Sequence, residues 1–172
     1  DAAAHNVISN ASCTTNCCAP SIKALVDHFG ERFISYSLTT VHAATNSQSV
    51  LDVLPKDGEK DTRKKRSTLN NLIPTSTGAA NAVIEVIPDI RELGIGSQAS
   101  SIRVPTMTGS IVILDVSLLG DYDNDHIHSI FREYERRNPE IMRYSTEQLV
   151  SADIVGSTHS TIYDSRFTHR RT

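Results

Sequence analysis

Apolar residues recur at helical spacing in a stretch close to the start of the chain. Apolar side chains at positions i, i+3 and i+4 predict a helix with one buried face. These positions are Cys18, Ile22, Leu25, Val26 and Phe29. Gly30 follows directly and is a typical helix stop signal. Pro20 removes the helical partner of Asn16, so we expect the helix to begin close to Asn16 or to bend there.

The same spacing predicts two more helices. One follows Thr77, whose hydroxyl can cap the first turn, and it ends at Pro88. Its apolar face consists of Ala79, Ala80, Val83, Ile84 and Ile87. The other is capped by the acidic run 123–125 and stopped by Pro139. Its inward positions are Ile127, Ile130, Phe131 and Tyr134.

Alternating or continuous apolar runs predict the strands. In the run 33–42 one face carries Ile34, Tyr36, Leu38, Thr40 and His42. A second strand, 100–104, contains Arg103, and a third, 111–118, is apolar enough to be buried on both faces or protected at an edge. Short strand-like pieces follow at 141–144, 148–150 and 161–163.

Helices and strands do not alternate strictly along the chain, because several late strands follow one another across short turns. This order favours an α+β fold: a mixed, largely antiparallel sheet with helices packed on one face. The segment 45–68 between the predicted strands is polar and irregular, with a basic run from Lys56 to Arg66. A loop of this length in a compact domain is usually functional or disordered.

Length and composition narrow the class of protein. The chain has 172 residues, enough for one well-cored domain, and a formal net charge of −3. We expect neither nucleic acid nor a membrane as a partner. Three clustered cysteines do not form a disulfide framework and suggest a reducing, cytoplasmic compartment. The chain lacks an initiator methionine and ends without a closing element, so we expect a fragment of a longer polypeptide.

The candidate chemistry lies at Cys13 and His42. Cys13 precedes the first helix, where unpaired N–H groups and the helix dipole favour a thiolate and can hold an oxyanion. His42 is carried inward on its strand and could pair with the sulfur. Thr77 and Gly78 open a helix and form a phosphate-sized anion site, although simple capping is the commoner explanation. Arg103, inside a strand, needs an anionic partner.

Four ordered motifs resemble the catalytic domain of the phosphorylating glyceraldehyde-3-phosphate dehydrogenase family. These are Ser-Cys-Thr-Thr-Asn-Cys at 12–17, Thr-Thr-Val-His-Ala-Ala-Thr at 39–45, Thr-Gly-Ala-Ala at 77–80 and Arg-Val-Pro-Thr at 103–106. The resemblance covers nearly all of 1–172 and is strong to about residue 118. It implies that the NAD-binding domain, which precedes the catalytic cysteine, and a C-terminal helix are absent from this chain.

The resemblance implies a role for each matched residue. Cys13 would attack the aldehyde of a phosphorylated triose, and His42 would act as base while hydride leaves to NAD or NADP. Inorganic phosphate would then cleave the thioester to give an acyl phosphate. Thr45 and Arg103 would hold the phosphate of the substrate. The attacking phosphate would contact Ser12, Thr14, Lys64, Thr77 and Gly78. Family members form homo-oligomers, commonly tetramers.

This chain departs from the family at two points that bear on function. Lys64 falls where a phosphate-contacting arginine is expected, and lysine keeps the charge without the bidentate geometry. No Gly-x-Gly-x-x-Gly follows a strand, so we expect the isolated chain to bind NAD or NADP poorly and not to complete a redox cycle.

Other functions remain open from the sequence alone. An erythrose-4-phosphate dehydrogenase, a cofactor-free Cys-His hydrolase and a non-catalytic assembly domain are alternatives. For the hydrolase, no third residue that could orient His42 is evident. A zinc site built from the three cysteines and His42 matches no common ligand spacing, so no metal is expected.

Overall fold

Helix α1 (Cys13–Phe29) and strand β1 (Phe33–Ala43) form the centre of the fold. A computed structural model describes residues 4–170. Residues 1–3 and 171–172, the ends on which the expectation of a fragment depended, lie outside the described residues. A short 3-10 helix, Gly30–Arg32, joins α1 to β1.

The first helix forms as predicted, but it begins earlier. The Ser12 hydroxyl accepts a hydrogen bond from the Thr15 amide at 3.1 Å, which caps the first turn. The Asn16 amide donates to the Ser12 carbonyl at 2.8 Å. With these bonds in place the helix starts at residue 13 and continues through Pro20, so the expected start near Asn16 is wrong. At the other end Gly30 adopts a φ of 52°, which glycine tolerates best.

A four-stranded mixed sheet packs beside α1. Its strand order is β2-β3-β1-β4. The three further strands are β2 (Ile73–Thr75), β3 (Gly96–Val104) and β4 (Ser110–Leu118). β1 runs parallel to β3 and antiparallel to β4, and β2 is antiparallel to β3. Two of the three pairings are therefore antiparallel, which confirms the predicted α+β fold.

The late segment differs from its prediction. Strands β5 (Met142–Ser145) and β6 (Thr161–Asp164) pair parallel to each other in a separate two-stranded sheet. The predicted strand at 148–150 is wrong, because these residues have no ladder partner and lead into a turn. A parallel pair needs a long connection, and residues 146–160 provide it.

Of the three remaining helices, two lie between β2 and β3 in the chain, and the third lies between β4 and β5. They are α2 (Ala79–Val86), α3 (Asp89–Glu92) and α4 (Asn124–Arg137). The N-cap of α2 is Gly78 rather than the predicted Thr77, whose hydroxyl instead accepts a bond from the Ala79 amide at 3.2 Å. At α4 the Asp123 carboxylate accepts from the His126 amide at 2.8 Å, as the acidic cap predicts.

The core lies between the inner face of the sheet and the helices. Ile22 of α1, Leu38 of β1 and Val83 of α2 are completely buried in it. Along β1 the predicted alternation holds from Tyr36 to His42, but Ile34 is 50% exposed. The pairing of β1 with β4 shifts between residues 33 and 35, and this irregularity coincides with the outward position of Ile34.

Strand β4 lies at one edge of the sheet, and only its inner face packs on the core. Ile111 and Ile113 are 59% and 50% exposed, while Val112 and Leu114 pack inward. Of the two alternatives predicted for this run, burial on both faces is therefore wrong, and β4 is an edge strand. The outer face of the sheet consequently carries apolar side chains.

Residues 45–68 remain irregular, as predicted, except for one 3-10 turn at Arg63–Lys65. That turn packs against β2. None of the helices within residues 4–170 combines the length and the apolar character that a membrane span requires.

Candidate active site

Cys13 is the first residue of α1 and is exposed. The turn that leads into it is held by local bonds: the Asn16 side-chain amide donates to the carbonyl oxygens of Asn10 and Ser12 at 2.7 and 3.0 Å. Ala11 adopts a φ of 53°, a left-handed conformation that is uncommon for a residue with a side chain. The sulfur is thus presented at the positive end of a helix by a tightly bonded turn.

His42 reaches this sulfur from the end of β1. Its side chain is 8% exposed, on the inward face that the alternation predicts. The Nε2 atom lies 3.0 Å from the Sγ atom of Cys13. A thiol and an imidazole at this distance can exchange a proton, which is the arrangement of an activated cysteine nucleophile.

Arg103 contacts the other nitrogen of the same ring. His42 and Arg103 are paired residues of the parallel strands β1 and β3. The guanidinium Nη1 lies 2.6 Å from His42 Nδ1, and the Ala43 carbonyl oxygen lies 2.8 Å from Nδ1. A guanidinium can only donate, so its bond to Nδ1 leaves the proton of a neutral ring on Nε2, facing the sulfur. In the other tautomer Nδ1–H would donate to the Ala43 carbonyl oxygen, which leaves Nε2 free to accept a proton.

The neighbouring cysteines are unsuited to the same chemistry. Burial raises the pKa of Cys18 to about 12, with a smaller contribution from Cys17. Burial also raises the pKa of Cys17, although a hydrogen bond from Thr161 opposes the effect. Both thiols therefore stay protonated at neutral pH, which leaves Cys13 as the accessible sulfur of the three.

Four of the five residues predicted to hold the attacking phosphate lie at the starts of α1 and α2, two helices that contact each other. The Ser12 hydroxyl is already engaged as the cap of α1 and also bonds the Thr15 hydroxyl at 2.7 Å. Thr14 is 7% exposed. At the start of α2, Gly78 is exposed and Thr77 is half-buried. Free amide donors of the first turns are the groups available to an anion there.

Thr45 and Lys64 lie in the irregular segment after β1. Thr45 is exposed, and its hydroxyl bonds that of Ser47 at 3.0 Å. Lys64 belongs to the 3-10 turn against β2. The basic residues beside it form salt bridges with carboxylates, whereas Lys64 forms none within residues 4–170, although its charge acts on Asp61. These ion pairs are Arg63–Asp61, Lys65–Glu59 and Arg66–Asp52.

Direct contacts connect only some of the predicted site residues. Cys13, His42 and Arg103 form one chain of contacts. Within residues 4–170 no hydrogen bond connects this chain to Thr45, Lys64, Thr77 or Gly78. The described residues also contain no group of three or more potential metal ligands from His, Cys, Asp and Glu.

Two groups at the site carry no sequence-based prediction. The Asn16 side chain fixes the turn before Cys13, and the Ala43 carbonyl bonds His42. Asn16 stands inside the Ser-Cys-Thr-Thr-Asn motif, so its position could have indicated a role at the site. Its partners are backbone oxygens, which a sequence does not reveal. The carbonyl carried no signal, because every residue has one.

Comparison with known proteins gives a consistent result. Residues 12–171 match the family described as glyceraldehyde 3-phosphate dehydrogenase, C-terminal domain. The chain is 41% identical over 169 residues to glyceraldehyde-3-phosphate dehydrogenase 2 of Streptomyces avermitilis, an alignment covering 98% of this chain and 48% of that protein.

Two other relatives extend the comparison. The chain is 44% identical over 165 residues to glyceraldehyde-3-phosphate dehydrogenase 1 of Bacillus cereus, covering 95% of this chain and 47% of the relative. It is 44% identical over 160 residues to glyceraldehyde-3-phosphate dehydrogenase of Amanita muscaria, covering 92% and 53%. The chain spans about half the length of these curated relatives. It belongs to the glyceraldehyde-3-phosphate dehydrogenase family, over the part described as the C-terminal domain.

Proposed function

We propose that this chain is the catalytic domain of a phosphorylating dehydrogenase acting on glyceraldehyde 3-phosphate in glycolysis or gluconeogenesis. The observation that carries the proposal is the 3.0 Å contact between Cys13 Sγ and His42 Nε2 at the start of a helix. The thiolate attacks the aldehyde carbon, and the helix-terminal amides stabilise the resulting oxyanion. His42 is the base that takes the hydroxyl proton of the thiohemiacetal when it is oxidised.

Oxidation to the thioester requires NAD or NADP as hydride acceptor, and residues 4–170 do not fit such a cofactor. The main sheet is four-stranded and mixed, whereas a dinucleotide site uses a doubly wound parallel sheet with a glycine-rich turn. We assign cofactor binding to a part of the intact protein outside these 172 residues. The chemistry of this chain alone is then acyl transfer at Cys13.

In that step an oxygen of inorganic phosphate attacks the thioester carbonyl. A carbon–oxygen bond forms, the carbon–sulfur bond breaks, and the electron pair returns to Cys13 as a thiolate. Ser12, Thr14, Lys64, Thr77 and Gly78 hold the attacking phosphate. Thr45 and Arg103 hold the phosphate of the substrate. Hydroxyls, helix-terminal amides and cations are the donors that a dianion requires.

We further propose that the protein forms a homo-oligomer in the cytoplasm, a tetramer by analogy with its family. The exposed apolar side chains on the outer face of the sheet support a second copy of the chain as the partner. Ile111 and Ile113 are 59% and 50% exposed there. The three free thiols suit a reducing compartment. Light scattering of the intact protein tests the assembly.

The geometry favours this function over a cofactor-free hydrolase. Cysteine hydrolases orient the histidine with a carboxylate or amide side chain at its second nitrogen. Here Nδ1 of His42 faces Arg103 and the Ala43 carbonyl. An arginine is the group expected where a substrate phosphate binds. Comparing glyceraldehyde 3-phosphate with erythrose 4-phosphate as substrates of the intact protein separates the two dehydrogenase reactions.

The isolated chain permits a test that needs no redox cofactor. Incubation with an acyl phosphate runs the phosphate step backwards: Cys13 gains the acyl group and inorganic phosphate leaves. Intact-mass analysis should show one added acyl group on the parent chain and on Cys17→Ser, and none on Cys13→Ser. Equal acylation of Cys13→Ser, or an unmodified parent chain, would contradict the proposal.

A further inference from the structure

A pair of histidines bridges α1 and α4 at the end of α1 remote from Cys13. Nε2 of His28 lies 2.9 Å from Nε2 of His126. The two ring centroids are 5.0 Å apart, and the ring planes meet at 73°. Fifteen residues of helix separate Cys13 from His28, a distance of about 22 Å. The pair is therefore independent of the catalytic cysteine.

Both rings are held in place by their surroundings. Phe29 packs edge-on against His28 at 4.8 Å between centroids, and Tyr122 lies 5.2 Å from His126. The backbone amide of His126 is fixed by the Asp123 cap. His28 is exposed and His126 is half-buried.

We propose that His28 and His126 form a two-histidine site for a divalent first-row cation of tetragonal preference, Cu²⁺ or Ni²⁺. Two imidazole nitrogens bound to one metal at about 2.0–2.1 Å and at a right angle lie about 2.9 Å apart. The observed separation of 2.9 Å is that of a hydrogen bond between the rings, and it is also compatible with this arrangement about one metal. Imidazole is a preferred ligand of these metals, and water fills the other positions.

Both histidines bind a metal as neutral imidazoles, through Nε2. With the cation bound, both rings carry their proton on Nδ1. The proton that lay between the two Nε2 atoms moves, through solvent, to Nδ1 of the ring that carried it, so no proton is released and nothing is oxidised or reduced. Because the ligands lie on α1 and α4, the cation cross-links the two helices.

Nickel titration of the 172-residue chain tests the site, with the exposed Cys13 first alkylated by iodoacetamide to remove it as a thiol ligand. Calorimetry should give one saturable Ni²⁺ site, with a dissociation constant at least tenfold lower in the parent than in His28→Asn or His126→Asn. His169→Asn, which removes an exposed histidine elsewhere, is the matched control and should bind like the parent.

Two further readouts separate chelation from a general effect of histidine loss. Ni²⁺ should raise the melting temperature of the parent and of His169→Asn, and leave both site variants unchanged, because a ligand stabilises only the state that binds it. Electron paramagnetic resonance of bound Cu²⁺ should show two nitrogen ligands in the parent and one in each site variant. Equal affinity of the parent and both site variants, or no saturable site, would overturn the proposal.

Discussion

Arg103 Nη1 lies 2.6 Å from His42 Nδ1, the ring nitrogen that does not face Cys13. A cation at this position is costly beside a base unless it also serves an anion. In the proposed reaction that anion is the phosphate of the substrate. The contact therefore connects the phosphate site to the nucleophile through one imidazole ring.

Arg103→Gln should lower acyl transfer selectively. We expect about a 10- to 100-fold loss with 3-phosphoglyceroyl phosphate, from the loss of a charge-assisted hydrogen bond, and little change with acetyl phosphate, which lacks the second phosphate. Acylation of Cys13 followed by mass spectrometry measures both rates. Arg63→Gln, at an exposed cation paired with Asp61, is the control. An equal loss with both acyl donors would remove the assignment of Arg103.

Lys64→Arg should tighten the binding of inorganic phosphate by a few-fold, because a guanidinium offers a bidentate fork. Lys64→Ala should weaken it. The rate at which phosphate releases the acyl group from Cys13, measured against phosphate concentration, gives the affinity. Lys60→Ala, in the same irregular segment, should behave like the parent. If Lys64→Arg and Lys64→Ala bind phosphate as the parent and Lys60→Ala do, Lys64 has no part in the phosphate site.

Ser12→Ala should destabilise the chain by about 0.5–2 kcal/mol, since it removes the cap of α1. Ser12→Asp keeps a capping oxygen and should retain most of the stability. It also adds a negative charge beside Cys13, so it should slow alkylation of the sulfur. Urea unfolding and iodoacetamide kinetics measure the two effects. Unchanged unfolding of Ser12→Ala would show that the cap contributes nothing.

The free energy of unfolding should fall as the pH rises above about 9. Burial raises the pKa of Cys18 from its ordinary value of 9.0 to about 12 in the folded chain, so the folded state holds its proton where the unfolded state releases it. The contribution of Cys18 to the free energy of unfolding is thus fully present below pH 9 and is lost as the pH rises toward 12. Cys18→Ala should reduce stability at pH 7 through lost packing and flatten this alkaline decline. An equally steep decline in the variant would contradict the assignment to Cys18.

Much of the site could be predicted from local sequence. Helical spacing and Gly30 predict α1, and alternation along β1 predicts that His42 points inward. Both signals are local, because side-chain direction follows from the period of the element. The meeting of Cys13 and His42 is not local, and it was suggested by resemblance to a family and found in the fold.

The remaining features depend on pairing between distant segments. The exposure of Ile34 accompanies a register shift against β4, and the exposure of Ile111 follows from the edge position of that strand. Neither pairing nor strand order can be read from the composition of a single run. The bridge between His28 and His126 joins residues 98 positions apart, so no spacing rule would have revealed it.

The pairing of Cys13 with His42 is the claim on which the proposed function depends. The most direct test is the rate of Cys13 alkylation by iodoacetamide at pH 6, in the parent and in His42→Asn, with His159→Asn as control. An isolated thiol is almost entirely protonated at this pH, whereas a thiolate paired with imidazole reacts. We predict that the parent and His159→Asn react at least about tenfold faster than His42→Asn. Equal rates in all three would contradict the pairing and with it the proposed enzyme.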